Sequence, residues 1–161
     1  MSFALLPEAV KRGAQQWPHS HLCAFTGHGL TPSGQAGLWC FLFRGDGVVT
    51  GLAYANNTWS VLPNPPVVLD GLPEPALDGG LAVDVQVLAE TFCGHAGFNA
   101  LDGREEDALW VGWREDRVVA VITCAGGSTL TVDALRPATV LAMDFLPVTL
   151  LAKVPNLYVI H

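Results

Sequence analysis

Two stretches of the chain spell nearly the same hairpin, "LWCFLFRGDGVV" from Leu38 to Val49 and "LWVGWREDRVV" from Leu109 to Val119. A shift of 70 residues lays Arg44, Asp46, Val48, Val49 and Ala55 on Arg114, Asp116, Val118, Val119 and Ala125, and Leu52 and Thr58 on Ile122 and Ser128. The turns coincide as well, Asn56-Asn57 falling on Gly126-Gly127. Trp39 and Trp110 need a shift of 71, which a one-residue bulge would absorb. A helix followed by an antiparallel meander cannot bury both its faces alone, whereas two copies can share a sheet or pack helix against sheet. The expected fold is therefore α+β: two related helix-plus-antiparallel-meander units that can share one sheet.

The local signals fit that programme. Pro7 suits a first helical position and Glu8 a first turn, and Leu6, Val10, Ala14 and Trp17 follow at helical spacing, so a helix is predicted over 7–16, ending before Pro18. Residues 19–26 read as a strand and 27–37, rich in glycine, as a loop. Strands are expected over 38–43, 48–54 and 58–62, with turns at Gly45-Asp46-Gly47 and Asn56-Asn57, residue types that accept the positive φ of tight hairpins. Five prolines between 63 and 80 mark a connector. Asp84 is placed as an N-cap, Val85, Leu88 and Phe92 share one face, and Gly94 fits the C′ position, giving a helix over 85–93. A short strand at 98–101, a charged turn at 102–107, a strand at 109–113 and a second meander complete the pattern. The organisation is thus a first unit (1–62), a connector (63–80), a second unit (81–134) and an apolar C-terminal extension (135–161). In that extension, Val140 to Met143 and Leu141 to Phe145 have helical spacing, Pro147 interrupts it, and Leu157–Ile160 reads as an edge strand. Core packing and a hydrophobic face for a homodimer are both open to it.

Composition narrows the function classes. With 161 residues, half of them apolar, the chain is long enough to bury a sizeable core without a metal or disulfide. Its apolar runs are interrupted well short of the ~18 residues a membrane span needs. The formal net charge is -7 and the only lysines are Lys11 and Lys153, which disfavours nucleic acid and anionic membranes as partners and favours a basic one. The N-terminal Met1–Glu8 shows no basic segment followed by a long apolar one, so a cytoplasmic setting is expected. Cys23, Cys40, Cys93 and Cys124 are widely spaced among apolar neighbours, as reduced core thiols are.

The order helix, strand, aromatic-rich strand, turn and closing hairpin, twice over, resembles tandem PepSY-like proteins. The residues that carry the likeness are Trp39, Phe41 and Phe43 in the first copy, Trp110 and Trp113 in the second, and Thr131-Val-Asp133 near its end, within residues 5–134. The resemblance implies a binding or inhibitory module, of a kind often found outside the cytoplasm.

Several residue groups have the types that chemistry requires. His19, His21 and Cys23 alternate, so on a regular strand they would share a face and could offer nitrogen and sulfur ligands to a metal, with His28 or His95 as a fourth; a half-buried strand is the alternative. Cys93-Gly-His95 contains a thiol and a base, although Cys93 also fits the end of an apolar helix face. Arg44-Gly45-Asp46 and the sequon at Asn56 are both accounted for by turns. Glu105-Glu106-Asp107 reads as a solvated turn able to attract a cation or a basic partner, and the 32–37 segment lacks the lysine of a phosphate loop. The expectation is a non-enzymatic binding or regulatory protein without a cofactor, such as an inhibitor or immunity-type protein that recognises a basic protein or peptide. The rival expectation is a small-molecule or metal-binding enzyme with its site between the two units.

Overall fold

The structure, a computed structural model, describes residues 3–45, 48–63, 75–97 and 100–144. In chain order these form α1 (Leu5–Gln16), β1 (His21–His28), β2 (Leu38–Gly45), β3 (Val48–Ala55), β4 (Thr58–Val61), α2 (Val85–Ala96), β5 (Ala108–Arg114), β6 (Arg117–Thr123), β7 (Thr129–Asp133) and β8 (Val140–Asp144). The strands make one antiparallel sheet in the order β4-β3-β2-β1-β5-β6-β7-β8. The fold is mixed α+β and mostly sheet. At the middle of the sheet β1 meets β5, with Ala24 opposite Gly112 and His28 opposite Ala108.

Alternation along the strands divides the sheet into two faces. Phe25, Trp39, Phe41, Phe43, Leu52, Leu109, Val111, Ala120, Ile122 and Leu130 point to the helix side and build the main core with Leu6, Leu88 and Phe92. The opposite face holds a small cluster of Cys23, Ala24 and Leu42, with Leu62 and Trp110 over it. Trp39 and Trp110 therefore lie on opposite faces. It is the unbroken 70-residue shift that preserves side, since Trp39, Phe41 and Phe43 then fall on Leu109, Val111 and Trp113, all of them in or against the main core.

α1 begins two residues before Pro7, and its N-cap Ala4 makes no side-chain cap hydrogen bond. Its buried positions are Leu6, Ala9 and Gly13, whereas Ala14, expected on that face, is exposed. Small residues are needed there because the helix lies directly on β2: a Cβ at Gly13 would overlap the ring of Phe43. α2 is capped by Asp84, whose Oδ1 accepts the N–H of Val87 at 3.2 Å. It runs past Gly94 and stops at Gly97, which takes φ 107°. Asn56 and Asn57 have φ of 50° and 59°, as the β3–β4 turn requires.

Two expectations need correction or restriction. Val140–Asp144 is a strand, not a helix: Val140 lies opposite Val132 and Met143 opposite Leu130, so the segment's backbone pairs with β7 and its spacing is overridden by the neighbouring edge. Of the strand expected over 98–101, residues 98–99 lie outside the described residues, and Ala100 and Leu101 are not in a strand. Residues 64–74 of the connector and 145–161 of the extension, including the edge strand expected at 157–160, also lie outside them. Among the described residues no helix is long and apolar enough to cross a membrane.

Candidate functional site

β1 does not give the three candidate ligands one common face. His19 precedes the strand, in the exposed turn after α1, and the ladder between β1 and β2 shifts between Leu22 and Ala24. That bulge puts Cys23 on the same side as Ala24, buried, with its Sγ 3.3 Å from the carbonyl of Leu42. His21 is half-buried opposite Arg44. Among the described residues no group of three His, Cys, Asp or Glu side chains is arranged to hold a metal ion, so His19, His21 and Cys23 are not brought together as a donor set.

A site between the two units, the rival expectation, would draw on the 27–37 loop, Cys93 and His95. The 29–37 loop lies against the start of α2, where a Cβ at Gly34, itself at φ 83°, would come within 2.7 Å of the Gln86 Cα. Cys93 is half-buried and His95 exposed; desolvation pushes the Cys93 thiol above its ordinary pKa, which keeps it protonated and weakly nucleophilic. All four cysteines are free thiols.

Asp107, expected in a solvated turn, is fully buried. Its Oδ2 accepts the N–H groups of Asp102 and Arg104 at 2.9 and 3.1 Å, and its Oδ1 accepts that of Ala125 at 2.8 Å. Its own carbonyl accepts the N–H of Leu30 at 2.8 Å. The carboxylate thus ties the turn before β5 to the β6–β7 turn, while the backbone carbonyl of the same residue holds the loop after β1. The available sequence signal was its place just before a strand, where an Asp side chain turns back onto preceding N–H groups. Glu105 and Glu106 remain exposed beside it.

A concavity lies between the C-terminal end of α1 and the β2–β3 hairpin. It encloses about 300 Å³, with Trp17, Pro18, His19, Gly45, Val48 and Thr50 among its walls. Several contacts hold it open. The N–H of Trp17 reaches the Gly13 carbonyl at 2.8 Å, the Trp17 ring leans on Phe43 with centroids 5.6 Å apart, and the Trp17 carbonyl accepts both the N–H and the hydroxyl of Ser20. Gly45 is the close-approach wall: a Cβ there would be 2.6 Å from the His19 carbonyl oxygen. The Thr50 hydroxyl is buried and has no hydrogen-bond partner among the described residues. Such an atom costs about 1–3 kcal/mol relative to a paired one, and a native structure rarely retains it without a reason. Gln16 also borders a second, smaller hollow beside Leu52 and Trp59, where Arg12 stacks 5.1 Å from the Trp59 ring.

Charge is divided unevenly along the chain. Residues 1–62 contain two carboxylate side chains and three Lys or Arg, whereas residues 81–144 contain ten carboxylates and four arginines. Asp102, Glu105, Glu106, Glu115 and Asp116 are exposed at the two ends of β5. Comparison with protein-family models, with curated proteins and with solved structures gave no match in any of the three.

Proposed function

We propose that the chain is a non-enzymatic binding or regulatory protein, made of two related helix-plus-meander units of PepSY-like kind, that recognises a basic protein or peptide through the carboxylates of its second unit. The observation that carries this reading is the charge split: residues 81–144 hold ten carboxylates against four arginines, and five of those carboxylates are exposed on the turns that flank β5. A net excess of one sign, here five carboxylates over the exposed Arg104, Arg114 and Arg117, steers an oppositely charged partner and raises its association rate without needing a deep pocket. Duplication is supported by the 70-residue shift, which lays β2, β3 and β4 on β5, β6 and β7 and Trp39, Phe41, Phe43 and Leu52 on the core-side positions Leu109, Val111, Trp113 and Ile122. A cytoplasmic inhibitor or immunity-type role is the concrete form of this proposal.

The test uses the full chain immobilised in extract of its native source beside the variant Asp102→Lys/Glu105→Lys/Glu106→Lys. A partner of net positive charge held by the first, released steeply with salt and lost from the second, supports the reading. Equal capture by both baits refutes it.

A further inference from the structure

We propose that the cleft between α1 and the β2–β3 hairpin binds a small, uncharged, planar molecule that carries a hydrogen-bonding group, and that the Thr50 hydroxyl is its specificity contact. This site lies in the unit that does not carry the acidic excess, so it is independent of the partner-binding reading.

Three observations fix the ligand class. The cleft's walls include Trp17 and Pro18, which offer apolar ring surface to a planar ligand. None of the described residues lining it is Lys, Arg, Asp or Glu, so these walls offer a charged ligand no fixed counter-charge for the hydration it gives up. At about 300 Å³ the space lies at the lower end of the range for ligand pockets, enough for one substituted ring.

Thr50 supplies the polar requirement. It sits opposite Phe43 in the ladder, facing the helix layer, where valine would have the same shape and no unpaired oxygen. The hydroxyl has almost no accessible surface in the free protein, so a ligand amide or carbonyl reaches it as the Thr50 side chain turns toward the cleft, and the hydroxyl then gains the hydrogen bond it lacks. The site is also prepared in advance: the Ser20 and Gly13 hydrogen bonds fix the Trp17 backbone, and Gly45 lets the hairpin close against His19.

The probes are benzamide, benzoate and benzylammonium, which share a ring and differ in charge. They are titrated into the full chain while the NMR signals of the Trp17 indole and the Thr50 methyl are followed. Benzamide is expected to shift both signals saturably, with a dissociation constant of about 1 mM or tighter, and both ions to bind at least about tenfold more weakly. Thr50→Val should raise the thermal midpoint of the free protein and weaken benzamide about tenfold, whereas Thr50→Ser should keep its affinity within about threefold. Absence of a saturable benzamide shift, equal binding of the ions, or undiminished binding by Thr50→Val would each overturn the proposal.

Discussion

Replacing Asp107 with asparagine tests the view that one buried carboxylate holds the turn before β5 to the β6–β7 turn. The carboxylate accepts two N–H groups on Oδ2 and one on Oδ1. An asparagine can present only one acceptor oxygen. If that oxygen keeps the Asp102 and Arg104 N–H groups, the new NH2 faces the N–H of Ala125, donor against donor. The lost charge-assisted bond is worth about 1.5–3 kcal/mol, and the two retained bonds are weakened by loss of the charge. The expected destabilisation is about 3–4 kcal/mol, a large share of the total stability of a single domain. Urea unfolding followed by tryptophan fluorescence measures it, with Asp116→Asn as an exposed control expected to stay within about 0.5 kcal/mol. Amide exchange at Asp102, Arg104 and Ala125 should accelerate in the same variant. A loss below about 1 kcal/mol, or exchange unchanged at all three amides, would show that the carboxylate is not what fixes these loops.

Gly13→Ala should destabilise the protein by about 2 kcal/mol or more in the same assay, because overlap with the Phe43 ring outweighs the roughly 1 kcal/mol that alanine gains in a helix; a stabilised variant would contradict the packing of α1 on β2. Replacing both Asn56 and Asn57 by alanine should cost about 1–2 kcal/mol, since both occupy positive φ; an unchanged unfolding midpoint would argue against the turn geometry. Burial raises the pKa of Cys40, partly offset by its hydrogen bond with Thr26, so iodoacetamide at pH 8 should label it at least about tenfold more slowly in the native state than after unfolding. Because folding raises that pKa, the thiol's contribution to stability is complete below the unfolded value and is lost as pH rises through the folded one. Cys40→Ala should therefore flatten the alkaline decline of stability, and an identical decline in both proteins would refute the assignment.

Features governed by neighbouring residues were legible in the sequence. Asn56-Asn57 has a turn chemistry with few alternatives, Asp84 stands directly before an apolar helical face, and the strands flanking these signals formed within a residue or two of their expected limits. Features governed by distant contacts were not. Nothing local distinguishes Val140–Asp144 from a helix until β7 offers it an edge. The bulge at Cys23 arises from register against β2, and it removes the alternation on which the His19, His21 and Cys23 reading depended. Asp107 looked like the solvated glutamates beside it because its donors come from three separate loops. The cleft was equally hidden, since it depends on Gly45 meeting His19 across the end of the sheet.

The strand order also sets a folding problem. Six of the seven ladders among the described strands join consecutive strands, while only β1 with β5 reaches across the connector, placing Thr26 beside Trp110. Hairpins close over microseconds, but that central ladder has to bring together segments separated by more than half the chain, with a correspondingly larger loop-closure entropy. Refolding should therefore proceed as two fast collapses followed by one slower docking step. Cutting the chain within 75–80 would turn that docking into an encounter between two fragments, and its rate would rise with their concentration.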